Sequence, residues 1–138
     1  MSMSLFVVLA FGVEPNTAEL NRYANELGIE IEYTPDVNIR DISGFFPVTL
    51  NDKKSGMEVY SSPFSDLPPE FVSLIPENHR SGVIYQFRFG GHADEAQAAF
   101  ATAMILNVKY DGVTVEDQAG SLLSFEQMRQ AISDFGTM

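Results

Sequence analysis

Gly82-Val83-Ile84-Tyr85-Gln86-Phe87-Arg88-Phe89, followed after a short break by the Ala-rich run from Ala93 to Tyr110, decides how this chain folds. Val83, Tyr85, Phe87 and Phe89 alternate with Ile84, Gln86 and Arg88, which predicts a strand with one strongly aromatic face. The run after it carries Ala96, Ala99, Phe100, Ala103, Met104 and Leu106 around much of a helical circumference, so it reads as a core helix. A helix apolar nearly all round needs cover on several sides, and an aromatic strand face needs a layer against it. The pair therefore predicts helices packed on a sheet.

Upstream, the unbroken apolar stretch Leu5 to Phe11 predicts a central strand covered on both faces. Asn16 with Glu19 offers a capping box, Leu20, Tyr23, Ala24 and Leu27 share a helical face, and Gly28 marks the stop. Ile29, Ile31 and Tyr33 alternate with Glu30 and Glu32 as a strand with one wet acidic face, ended by Pro35. Gly44 to Pro63 reads as a hairpin: Phe45–Leu50 and Met57–Tyr60 are its arms, and Asn51–Gly56 is polar turn chemistry. Pro47 cannot donate to a ladder, which predicts an edge position or a late start for the first arm. Pro63, Pro68, Pro69 and Pro76 break the next stretch, leaving a loop with one short helix from Pro69 to Leu74 and Phe71, Leu74 and Ile75 tucked under it. Downstream, Gly112–Glu116 predicts a short strand, Ala119-Gly120 a turn, and Ser124 with Gln127 a second capping box opening a last helix. The expected fold is α+β: residues 1–138 as a single domain, with a mixed, mainly antiparallel sheet and about three helices on it.

Composition narrows the function. Nineteen Asp and Glu against eight Lys and Arg give a net charge of -11. That field repels nucleic acid and anionic membranes and speeds encounter with basic partners. At 138 residues and 45% hydrophobic the chain can bury a core unaided. With no cysteine there is no disulfide, thiolate nucleophile or Cys-ligated zinc, which suits a reducing cytosol. The apolar N-terminal run has no basic residue before it and is far shorter than a spanning helix, so neither a signal peptide nor a membrane segment is expected.

Catalytic patterns are missing. His79 and His92 sit in no zinc-ligand spacing, and His79-Arg80 reads as an exposed polar pair. Gly90-Gly91 ahead of a helix invites comparison with a phosphate loop, yet it matches neither nucleotide-binding spacing, and Asp94 and Glu95 in the first turn would repel phosphate. Asp111, Glu116 and Asp117 bracket a strand without signs of the unequal desolvation that acid–base catalysis needs. No nucleophile elbow occurs. The aromatic face at Tyr85, Phe87 and Phe89 is core rather than a base-stacking platform, because the cations are scattered. No catalytic residue, metal site or cofactor is expected, and no nucleic-acid or membrane partner.

Three segments carry a family likeness. They are Gly44-Phe45-Phe46-Pro47-Val48 leading to Ser55-Gly56-Met57-Glu58-Val59-Tyr60; the Ala-rich helix ending in Tyr110-Asp111-Gly112-Val113-Thr114-Val115-Glu116-Asp117-Gln118-Ala119-Gly120; and Ser124-Phe125-Glu126-Gln127. Together they resemble small acidic bacterial immunity-like proteins, encoded beside polymorphic or contact-delivered toxins. The resemblance implies a cytoplasmic protein without turnover that neutralises a basic toxin domain by direct binding. Loops are free to carry such contacts, which selects Asp36, Asp41, Asp66 and Glu70 as steering acids and Phe64 and Phe71 as apolar anchors. The competing expectation is a small-ligand enzyme or sensor. Its pocket would lie between the sheet and the Pro-rich loop, with His79, Arg80, Arg88 or His92 holding an anion.

Overall fold

The computed structural model describes residues 3–90 and 92–136. Seven strands form one antiparallel sheet: β1 (Met3–Leu9), β2 (Ile31–Tyr33), β3 (Gly44–Leu50), β4 (Lys53–Pro63), β5 (Val83–Phe89), β6 (Val113–Glu116) and β7 (Ser121–Leu123). Their spatial order is β2-β3-β4-β5-β1-β6-β7. Among the described residues four α-helices accompany them: α1 (Thr17–Leu27), α2 (Pro69–Val72), α3 (Ala93–Lys109) and α4 (Phe125–Gly136). The α+β class holds, and every strand pair is antiparallel rather than mixed.

The β5–α3 pair organises the core as its sequence dictates. Tyr85, Phe87 and Phe89 turn to the helix side, and α3 is buried continuously from Ala98 to Leu106. Small alanines let this helix lie close on the sheet, while Phe89, Phe100 and Phe135 meet ring to ring under α4. β1 is central between β5 and β6, with Leu5, Val7, Val8 and Leu9 all fully buried. Its opposite face has a smaller core: Val8, Ile84 and Val115 are roofed by Leu67, Phe71 and Ile75 from the Pro-rich segment. Phe71 therefore belongs to the roof and not to the surface. Gly82 opens β5 where a Cβ would overlap the Leu9 carbonyl oxygen, so only glycine fits that approach.

Capping follows the sequence in one case and departs from it in the other. Ser124 and Gln127 form the complete reciprocal box, with Ser124 N–H donating to Gln127 Oε1 at 2.8 Å and Gln127 N–H to Ser124 Oγ at 3.2 Å. At α1, Asn16 Oδ1 accepts from Ala18 N–H at 2.8 Å, but Glu19 does not return the bond. Its carboxylate accepts instead from the Tyr110 hydroxyl at 2.6 Å.

The hairpin turn is tighter than expected. Asn51 and Asp52 alone make it, both left-handed with φ of 50° and 65°, which matches the twist of the flanking strands. Lys53–Gly56 consequently joins β4, which runs on to Pro63. The Ala119-Gly120 turn leads into β7, a three-residue strand too short to announce itself in sequence.

Candidate functional site

The four loop acids do not share a surface. Asp36 lies in the turn after β2 with φ 63°, and Asp41 ends the 3₁₀ turn Ile39–Asp41; both are exposed. Their segment is held to the helix side, by Ile39 in the main core and by the Thr17 N–H bond to the Val37 carbonyl at 2.8 Å. Asp66 and Glu70 are exposed on the roof segment, across the sheet. The expected anchors differ from one another as well. Phe64 is half-buried against the second core, while Phe71 is only 6% exposed, with its ring 6.2 Å from that of Phe6. Phe71 thus has no surface to offer a partner.

The cations proposed for an anionic ligand do not converge either. His79, expected on the surface, is buried. Its Nε2 faces the Asp111 carbonyl at 2.7 Å and its Nδ1 faces Asn78 Oδ1 at 3.0 Å, so both ring nitrogens are engaged in joining the roof to the β6 entry. Arg80 Nε donates to the Ile75 carbonyl at 2.9 Å. Arg88 stands opposite Glu58 in register on β5 and β4. His92 is the exposed residue preceding α3, without a side-chain cap bond, and Gly91 before it lies outside the described residues. None of these four residues lines the cavities along β2, under α4 or beside Phe11. The space expected between sheet and Pro-rich loop is filled by Leu67, Phe71 and Ile75.

The carboxylates around β6 are structural. Glu116 accepts from Gln118 N–H at 3.0 Å and Ala119 N–H at 2.6 Å, holding the β6–β7 turn, and Asp117 Oδ1 accepts from Ser4 N–H at 3.1 Å. Asp111 is a left-handed turn residue with φ 55°. Among the described residues no group of three or more His, Asp or Glu side chains is placed to hold a metal ion. No described helix is long and apolar enough to cross a membrane.

What the fold does assemble is an acidic groove along β2. A cavity of about 880 Å³ is lined by Asn21, Tyr33, Phe45, Pro47 and Ser55, with the carboxylates of Glu32, Asp94 and Glu95 and one ammonium, Lys54. A second, of about 600 Å³, shares Asn21, Glu32 and Thr49 with it and adds Glu30 and Asp52. Five acidic residues and one Lys thus line two adjoining cavities, with Glu95 Oε1 also accepting from the Gly90 N–H at 3.3 Å. Over its rim stands Phe45, 60% exposed, with its ring lying across Gly56 where any side chain would collide with it.

Local sequence explains each part of the groove but not their meeting. Glu30 and Glu32 are the wet face of an alternating strand, and Asp94 and Glu95 complement the start of α3. The Ser55 hydroxyl, donating to the Asp94 carbonyl at 2.9 Å, draws that helix start against β4 and so beside β2. The ion pairs Arg40–Glu14, 2.7 Å, and Lys109–Glu26, 3.3 Å, lie elsewhere and neutralise none of the groove acids.

Among the described residues, the Tyr85 hydroxyl is a buried side-chain oxygen without a hydrogen-bond partner. Burial pushes its ionisation up to about 12, against the opposing charge of Arg40. Comparison with protein-family models, with curated proteins and with solved structures gives no match.

Proposed function

We propose that this protein is a non-enzymatic, acidic binding protein that neutralises a basic toxin domain by direct contact, acting in the cytoplasm of the cell it protects. The observation that carries the reading is the groove along β2, lined by Glu30, Glu32, Asp52, Asp94 and Glu95 with Lys54 as its one lining cation, beside the exposed ring of Phe45. Clustered carboxylates steer a basic partner into encounter, and an exposed aromatic ring supplies the desolvated contact that retains it. Inhibition of this kind needs no reacting group. Outside the groove, His79, Glu116 and Asp117 are each committed to backbone hydrogen bonds.

The test is co-expression with the toxin-like product of an adjacent gene. Cells carrying this protein are expected to survive induction of that product, and the two chains are expected to co-purify. Absence of both protection and complex sinks the reading.

A further inference from the structure

Resting on the toxin-binding reading, we infer that the bare outer edge of β3 is the docking surface, and that its occupant is an extended basic segment of the partner, added as a short strand beyond the end of β2. Antiparallel ladders alternate, and a two-residue turn makes Leu50 and Lys53 a hydrogen-bonded pair. Gly44, Phe46, Val48 and Leu50 therefore direct their backbone groups to β4, while Phe45, Pro47 and Thr49 direct theirs away from it. Thr49 meets Glu32 of β2, but β2 pairs with Val48–Leu50 and stops at Tyr33. Past that pairing the Phe45 N–H and the Phe45 carbonyl face outward, and no described residue hydrogen-bonds to them. Pro47 is tolerated there because the donor it lacks would point to this open side.

The cavity of about 880 Å³ lies on this stretch of edge. Side chains of an added strand alternate between two faces. On one face they meet Phe45 and Pro47; on the other they meet Asp94 and Glu95 at the start of α3. The matching sequence alternates apolar and basic residues. A second copy of this chain is a poor occupant, since it brings the same carboxylates and a net charge of -11. The neighbouring edge of β2 is closed, because the Asn21 side chain occupies both backbone groups of Tyr33. An incoming strand is confined to β3.

The experiment titrates the isotope-labelled full chain, at low salt, with a short synthetic peptide of alternating Lys and Val and with its Glu-Val counterpart, following amide shifts and hydrogen exchange. The Lys-Val peptide is expected to shift the amides of Phe45, Tyr33, Asp94 and Glu95 and to slow exchange at Phe45. The Glu-Val peptide should do neither, and the double variant Glu32→Lys/Asp94→Asn, checked for an unchanged melt, should bind about tenfold more weakly. Shifts centred elsewhere, an equal response to the acidic peptide, no response, or self-association through Phe45 without peptide would each overturn the assignment. The protection assay separates the two ideas. If the double variant protects as well as the parent, the groove is not the docking surface although toxin binding stands; if the parent fails to protect while the Lys-Val peptide still binds at Phe45, the surface stands and the toxin reading falls.

Discussion

Asn21 and Tyr33 form a two-point pair: Asn21 Nδ2 donates to the Tyr33 carbonyl at 3.0 Å, and Asn21 Oδ1 accepts from the Tyr33 N–H at 2.8 Å. A side-chain amide here does what a neighbouring strand would do, and it closes the sheet edge at β2 while tying α1 to it. Replacing Asn21 with Ala removes both bonds and exposes a strand edge, for an expected loss of about 1–3 kcal/mol in urea unfolding. Self-association should rise at the same time, read by light scattering. Unchanged stability and unchanged scattering would show that water replaces the amide without cost.

A buried relay joins β2 to α3. Thr102 Oγ1 donates to the Ala98 carbonyl at 2.8 Å, so its one proton is committed, and the Tyr33 hydroxyl must be the donor in the 2.7 Å bond between them. The two deletions are consequently unequal. Tyr33→Phe leaves Thr102 bonded and should cost about 1 kcal/mol, whereas Thr102→Val strands a buried phenol and should cost about 1–3 kcal/mol. Equal losses in urea unfolding would contradict the assigned donor.

Alkali should destabilise the fold before it ionises the buried phenols. Burial raises Tyr85 to about 12, and it raises Tyr33 and Tyr110 as well; for Tyr110 the bond to Glu19 adds to the effect. In the unfolded chain these phenols release protons near pH 10, so above that pH the unfolded state binds fewer protons and stability falls. The contribution is complete below about pH 10, and for the fully buried Tyr33 it declines by about 1.4 kcal/mol per pH unit above that, with a smaller, solvent-screened decline for the partly exposed Tyr110. The absorbance of three phenolates rising only together with the loss of circular dichroism is the expected record. Ionisation of all five tyrosines near pH 10 in an intact fold would refute it.

Phe71 and the groove acids should separate stability from binding. Phe71→Ala empties the roof over Val8, Ile84 and Val115 and is expected to cost about 3–5 kcal/mol in unfolding, with no effect on partner dissociation so long as the chain stays folded. Neutralising Glu32 and Asp94 should slow association with a basic partner at low salt and leave stability nearly unchanged. A salt series by stopped flow distinguishes these outcomes. An association rate indifferent to both salt and charge removal would reduce the acidity to a solubility device.

How much was legible in the sequence varies with the range of the physics involved. Periodicity placed the strand at Val83–Phe89 and the helix after it, because side-chain direction repeats locally. The Ser124–Gln127 box was readable for the same reason, as its two partners lie three residues apart. Glu19 misled, since a hydroxyl from Tyr110, 91 residues away, competes successfully with a local backbone donor. His79 misled in the same way: its ring is buried because the Asp111 carbonyl, far off in sequence, satisfies it.

The amino-acid sequence alone determined an acidic, cysteine-free, single α+β domain, since charge, composition and short-range periodicity do not depend on how distant segments meet. Tertiary structure alone decided that Phe71 is core, that His79 is inside, and that Glu30, Glu32, Asp52, Asp94 and Glu95 line one groove. It also decided where β3 is left bare. Each depends on which elements become neighbours, and that choice is made by burial summed over the whole sheet rather than by any one stretch of residues.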